Sequence, residues 1–194
     1  WLMPRLPEFA RRHPDITINM TTRLQPFSFG SEPIDAALHF GTAEWPGTDA
    51  MVLKSEQLLP VCSPDLLPAE GYVDPEQILK MPLLHIQTRP RAWLDWFHLQ
   101  GVSAEPEQLG GTMYDQFSTI TQAAQHGLGV ALMPDYLVEQ DIATGRLRAL
   151  QPRATEATGA YYLVWPKSKS RDPALSKFRH WLEGQAQPED PLPR

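Results

Sequence analysis

The sequence predicts an α/β fold, and three features of the chain favour it. Short apolar runs that suit strands alternate with segments of helical periodicity, residues 130–133 form a continuous apolar run, and nothing repeats at a fixed period. A continuous apolar strand is expected to be covered on both faces. Strands separated by helices therefore predict parallel sheets flanked by helices, in a chain of 194 residues that has room for one large or two small domains.

The first elements are a helix and two strands. Leu2, Leu6, Phe9 and His13 share one helical face, and Pro14 closes that helix. Residues 16–21 then alternate apolar with polar, which predicts a half-buried strand, and residues 34–41 read as a more buried one. The first of these strands ends in residues 21–23, two threonines and an arginine, at the carboxyl end where open α/β sheets place ligands.

Later elements follow in the same alternation. We predict a short apolar segment at 51–53, strands at 57–62, 83–86, 147–150 and 160–165, and helices at 136–141 and 173–183. Asp74 followed by Pro75 predicts a helix start. Another helix carries Trp93, Trp96 and Phe97, three aromatic residues whose spacing favours packing in the core. Trp93 lies near the start of this helix and close to Thr88 in sequence, so it could instead contact a ligand.

Residues 113–134 combine an amphipathic helix, a tight turn and a buried strand. Apolar residues at 117, 120, 124 and 128 predict a helix over about 116–126, with Asp115 as its cap. Backbone N–H groups near Gln116, Phe117 and Ser118 would suit a carboxylate-bearing small molecule. Alternatively, Asp115 and Ser118 only cap an ordinary helix.

Composition and charge disfavour several classes of function. The net charge is −6, and the 17 lysines and arginines are scattered, so the chain does not suggest a nucleic-acid-binding surface. No apolar run approaches the roughly 18 residues that a membrane span needs, and the first residues lack a signal-peptide pattern. The single Cys62 cannot form an internal disulfide, so we expect a cytoplasmic protein without a membrane partner.

Catalytic and cofactor motifs are also missing. The six histidines never fall at a metal-ligand spacing, and Gly127-Leu128-Gly129 follows a helix instead of the strand that a dinucleotide fingerprint requires. There is no nucleophile elbow, and Cys62 has no histidine near it in sequence. We expect no metal, no cofactor and no enzymatic activity.

Four motifs in order carry a resemblance to a known family. They are L-M-P-R-L-P-E-F-A-R-R-H-P-D-I at 2–16, I-D-A-A-L-H-F-G at 34–41, L-L-P-V-C-S-P at 58–64 and Q-A-A-Q-H-G-L-G-V-A-L-M-P at 122–134. Together they resemble the effector-binding domain of LysR-type transcriptional regulators over nearly the whole chain. W-P-G at 45–47, the Trp93 helix and Y-Y-L-V-W at 161–165 are similar to the subgroup of the glycine-cleavage activator and the β-lactamase regulator.

The resemblance implies a fold like the type 2 periplasmic binding proteins, with two lobes joined by two crossing strands. Lobe I would comprise residues 1–62 and 167–194, and lobe II residues 63–166. Family members begin with a further strand before the segment that matches residues 2–4, so the first strand is expected to be missing here. The winged helix-turn-helix that binds DNA in the family is likewise expected to precede this segment.

The resemblance also implies a small-molecule effector, such as an amino acid or small carboxylate, and assembly into a homodimer or tetramer. The residues expected to bind the effector match family positions that face its cleft, namely Thr21, Thr22, Phe40, Thr88, Arg89, Gln116, Phe117, Ser118 and Tyr161. A periplasmic solute-binding protein of the same fold is the alternative function. Arg23 and Arg89 suggest an anionic effector, but either could instead form a surface ion pair.

Overall fold

The computed structural model of the chain describes residues 1–25, 27–67 and 71–186. The helices in this part are α1 (Leu6–Arg12), α2 (Pro75–Ile78), α3 (Ala92–Leu99), α4 (Phe117–Gln125), α5 (Asp135–Ala143) and α6 (Pro173–Ala186). The strands are β1 (Ala37–Gly41), β2 (Thr48–Cys62), β3 (Leu83–Ile86), β4 (Gly111–Tyr114), β5 (Val130–Pro134), β6 (Arg148–Ala149) and β7 (Thr155–Pro166). The α/β class is therefore confirmed.

The backbone divides into two compact units. Unit 1 is Trp1–Lys54 with Gly159–Arg194, and unit 2 is Ser55–Thr158. Both divisions fall inside long strands, β2 and β7, and each lies nearer the amino terminus than the expected lobe boundary, which follows residue 62 in one case and residue 166 in the other. Residues 187–194 of the predicted lobe I lie outside the described residues. The two-lobe organisation with the predicted boundaries stays a prediction.

Unit 2 is built on a mixed sheet whose two faces are both covered. Within it β6 and β5 flank β2 in antiparallel ladders, while β5 and β4 flank β3 in parallel ones. Alternate side chains of β5 enter different clusters, Ala131 and Met133 on one face and Val130 and Leu132 on the other. The continuous apolar run at 130–133 was thus correctly interpreted, because every residue of β5 is buried.

Unit 1 pairs β1 with β7 in an antiparallel ladder and packs helices α1 and α6 around a separate core. Phe9 of α1 is 1% exposed and its ring contacts Phe178 and Trp181 of α6, at centroid distances of 5.3 and 5.1 Å. The parallel pairing predicted from the alternation of strands and helices is confirmed for β3 with β4 and β5, but it is wrong for this ladder and for the ladders of β2 with β5 and β6. Strands β2 and β7 each have residues in both units, and antiparallel neighbours do not need the helix crossover that the alternation suggested.

Three local expectations differ from the structure. Residues 16–21 form no strand, and Ile18 and Met20 are exposed, because an alternating pattern becomes a strand only where a neighbour supplies ladder hydrogen bonds. The apolar segment at 51–53 and the strand at 57–62 are one strand, β2. Asp115 is not the cap of α4, since Gln116 occupies that position without a side-chain cap bond.

The described residues contain no helix that is long and apolar enough to span a bilayer.

Candidate functional site

In unit 2, the residues predicted after β3 and around the start of α4 lie at one edge of the sheet. β3 and β4 are parallel neighbours with Ile86 opposite Tyr114, and the Gln87 N–H donates to the Tyr114 carbonyl at 2.7 Å. The chain segments that follow the two strands therefore start side by side. We call residues 87–89 and 115–118 the effector edge, because they hold all the unit 2 residues predicted to bind an effector.

Arg89 and Phe117 are brought together within the effector edge. The guanidinium carbon of Arg89 lies 5.6 Å from the centre of the Phe117 ring, over its face. Phe117 is the first residue of α4 and is half-buried, so its ring forms a plate beside the cation. This contact joins two segments that the sequence could place only by analogy.

Glu56 completes the arrangement, and sequence reasoning missed it. The Arg89 Nη2 and Nε atoms lie 3.2 and 3.4 Å from the two carboxylate oxygens of Glu56, whose side chain is fully buried. Parity along β2 does not single it out, because Leu58 and Cys62 of the same parity are buried whereas Val52 and Lys54 are exposed. The burial of Glu56 beside an arginine is seen only in the structure.

The other residues of the effector edge present polar side chains at its surface. Thr88, Gln116 and Ser118 are exposed. The first intrahelical bond of α4 runs from the Ile120 N–H to the Gln116 carbonyl at 3.1 Å. In an α-helix the N–H groups of the preceding residues point out of the helix end and favour a polar or anionic group. Donors are thus available at the edge from backbone and side chains alike.

In unit 1, Phe40 and Tyr161 are brought together. They face each other in the β1–β7 ladder, and their rings lie 5.2 Å apart at an interplanar angle of 70°. A Cβ at Gly159 would lie 2.8 Å from the Phe40 ring, so a side chain there would displace that ring. The two predicted aromatic residues therefore form one surface in this unit.

Thr21 and Thr22 lie in an irregular exposed segment of unit 1. Arg23 holds this segment, since its Nη1 atom donates to Thr21 Oγ1 at 2.8 Å and to the Thr22 carbonyl at 3.2 Å. The same arginine pairs with Glu32, at 2.9 Å between Nη2 and Oε2. Of the two interpretations of Arg23, the structure supports the surface ion pair.

A surface groove of about 400 Å³ in unit 1 contains none of the predicted residues. It is lined by Met51, Trp165, Ser176, Arg179, His180 and Glu183. The Arg179 guanidinium stacks over Trp165 at 4.4 Å and donates to the Ser170 carbonyl at 2.9 Å. Packing on Trp165 and the bond to Ser170 account for part of this guanidinium, whose buried Nε atom has no hydrogen-bond partner among the described residues.

Burial shifts the pKa of three titratable groups. It raises the pKa of the Cys62 thiol to about 11, against a smaller opposing effect of Arg148, so little thiolate exists at neutral pH. Burial also lowers the pKa of His39 and of His85, although backbone hydrogen bonds partly oppose it. No group of His, Cys, Asp or Glu side chains in the described part of the chain is arranged to hold a metal ion.

The fold, together with the polar side chains of the effector edge, indicates the class of protein: a ligand-binding domain with the periplasmic-binding-protein-like fold. The LysR substrate binding domain family matches residues 1–187, and the chain belongs to that family. It is an effector-binding domain of the LysR type, and this assignment is favoured over the periplasmic alternative.

Relatives and solved structures agree with this assignment. The chain is 36% identical over 187 residues to the transcriptional activator AmpR of Rhodobacter capsulatus, covering 96% of this chain and 62% of that protein. It is 32% identical over 187 residues to the glycine cleavage system transcriptional activator of Escherichia coli K12, covering 96% and 61%. The AmpR effector domain of Pseudomonas aeruginosa superposes with a TM-score of 0.80 at 30% identity, over 96% of this chain and 88% of that chain. The chain thus spans about three fifths of the length of these curated relatives.

Proposed function

We propose that this chain senses a small amino acid or carboxylate for a cytoplasmic LysR-type regulator, and that the effector edge binds it. The contact between Arg89 and Phe117 carries the proposal, because it unites two predicted segments beside parallel strand ends. Thr88, Gln116 and Ser118 offer exposed hydrogen-bonding side chains there. Thr21, Thr22, Phe40 and Tyr161 of unit 1 are proposed as further effector residues from the family resemblance.

Effector binding would act by shifting a conformational equilibrium. A ligand changes such an equilibrium only to the extent that it binds one conformation more tightly than the other. We propose that the favoured conformation alters how DNA-binding domains are presented in a dimer or tetramer of the full protein. Sedimentation measurements on this chain with and without ligand would test the assembly, and a monomer at all concentrations would argue against it.

The ligand screen is the direct test of effector binding. Thermal-shift and calorimetric screening of amino acids and small carboxylates should reveal at least one ligand. Ser118→Ala should then weaken its binding by about fivefold to fiftyfold, as expected when a hydrogen bond to a ligand is lost. Thr119→Ala is the matched control, because Thr119 is exposed on the same helical turn and is not a predicted site residue.

A second pair of variants tests unit 1. Thr22→Ala should weaken binding of the same ligand. Thr17→Ala changes another exposed threonine of the same segment and should leave the affinity unchanged. Silence of the whole screen, together with unchanged promoter response of Ser118→Ala and Thr22→Ala in the full-length regulator, would refute the proposal. Mass spectrometry should recover the ligand unaltered, because we propose binding without turnover.

A further inference from the structure

The Glu56–Arg89 pair lies where the effector edge meets strand β2. Glu56 is two residues beyond Lys54, the last residue of unit 1 before β2 enters unit 2. Its side chain is fully buried, and that of Arg89 is 10% exposed. Two nitrogens of the guanidinium face two oxygens of the carboxylate, at 3.2 and 3.4 Å. The pair therefore connects β2 to the segment after β3 at two points.

Burial makes this pairing consequential for charge. An ionised carboxylate withdrawn from water is costly unless a cation and hydrogen bonds compensate it, and the same holds for the guanidinium. A two-point contact also fixes the plane of the guanidinium, which a single contact would leave free to rotate. The central carbon of that guanidinium lies 5.6 Å from the centre of the Phe117 ring at the start of α4.

We propose that Glu56 is a positioning residue for effector recognition, which holds Arg89 against Phe117 and cancels its positive charge. On this basis the effector edge selects effectors whose group next to Arg89 is neutral or zwitterionic, and it disfavours effectors whose binding requires a full positive charge on Arg89. This inference rests on the proposed function of the effector edge. The expected role of Arg89 thereby changes from binding an anion to forming, with Phe117, a fixed surface of the effector edge.

The test is a titration with inorganic sulfate, which requires no knowledge of the effector. Glu56→Gln keeps the shape of the side chain but removes the negative charge that faces the Arg89 guanidinium. We expect this variant to bind sulfate at least about tenfold more tightly than the wild type, a difference of about 1.4 kcal/mol. Amide resonances of Thr88, Phe117 and Ser118 should report the binding, with sodium chloride holding the ionic strength constant.

The matched control is the double variant Glu56→Gln, Arg89→Gln, which removes both charges and should return to the weak sulfate binding of the wild type. The Arg89 Nε–Hε resonance supplies a readout of position, and it should lose its protection from solvent exchange in Glu56→Gln. Equal sulfate affinity in the wild type and Glu56→Gln, or an unchanged Nε–Hε resonance, would overturn the inference.

Should Glu56→Gln not fold, Glu56→Asp decides the question. It keeps the charge but withdraws the carboxylate by one methylene group. We expect wild-type sulfate affinity together with a displaced Arg89 Nε–Hε resonance. An undisplaced resonance, or a gain of sulfate affinity of tenfold or more, would contradict the positioning role. An effector screen that fails while these variants behave as described would count against the proposed function alone, because the sulfate titration uses no effector.

Discussion

Gly111 should be intolerant of any side chain, whereas its neighbour Gly110 should accept one. A Cβ built on Gly111 overlaps the Leu83 carbonyl oxygen and lies 2.9 Å from the carbonyl carbon and 3.0 Å from the His85 ring. Ordinary contact begins at 3.4 Å, so the β4 backbone must move at least 0.5 Å from that carbon. A Cβ on Gly110 meets nothing within 4 Å, which makes Gly110→Ala a matched control.

The cost of Gly111→Ala follows from what must move. The obstacle is the backbone of β3, which cannot rotate away as a flexible side chain would, and Gly111 pairs with Leu83 at the start of the parallel ladder. Overpacking of this kind costs about 1–3 kcal/mol. For a chain of this size, each kcal/mol lowers Tm by about 2–4 °C.

Urea unfolding followed by tryptophan fluorescence would measure the free energy of unfolding of both variants. We expect Gly111→Ala to lose about 1–3 kcal/mol and Gly110→Ala to change by less than about 0.5 kcal/mol. The Ser118 amide resonance should shift in Gly111→Ala only, because β4 leads directly into the effector edge. Equal stabilities of the two variants would show that the β3–β4 approach is not as close as argued.

Three further predictions concern buried groups. Cys62 of the folded chain should react with a thiol reagent at pH 8 at least about 100-fold more slowly than Cys62 of the unfolded chain, because its pKa rises from 9.0 to about 11 and its side chain is buried. Rapid labelling of the folded chain would contradict this prediction. Burial lowers the pKa of His39 and of His85 below the usual 6.5, so the unfolded chain binds more protons than the folded chain as the pH falls through 6.5. The free energy of unfolding should therefore decrease as the pH falls through 6.5, and this decrease should be smaller in His39→Gln and in His85→Gln. An unchanged pH dependence in both variants would refute this prediction. Trp93→Phe should cost about 1–3 kcal/mol in urea unfolding, because the buried Leu84 carbonyl loses the indole donor at 2.9 Å; a variant as stable as the wild type would show that this carbonyl finds another donor.

Elements with strong local signals could be predicted from the sequence. The helix expected at 116–126 is α4, and the buried strands at 83–86 and 130–133 are β3 and β5, since apolar periodicity and flanking glycine or proline agree there. Asp74 caps α2 as expected, accepting the Glu76 N–H at 3.0 Å. Trp93 also proves to be a core residue, because it is 3% exposed.

Elements whose stability comes from neighbours could not be predicted. Strand β4 begins Gly111-Thr112 and has no apolar run, and it forms because β3 offers a parallel ladder. Residues 16–20 show the converse, since a clear alternating pattern forms no strand in this structure. A period-two pattern reports which side chains could share a face, but the ladder that makes a strand belongs to two segments.

The pairing of Arg89 with Glu56 could not be predicted from the sequence. Arg89 and Glu56 are 33 residues apart, so no local pattern connects them. Parity along β2 does not help, because it groups Glu56 with the buried Leu58 and also with the exposed Val52. The structure shows the burial of Glu56, and a buried carboxylate requires a compensating cation. Arg89 follows a buried strand of the same sheet, whereas Arg23 follows a segment that is exposed. A buried acid beside an arginine is therefore a better guide to the role of that arginine than its sequence position, because the buried carboxylate requires the positive charge that an anionic effector would otherwise use.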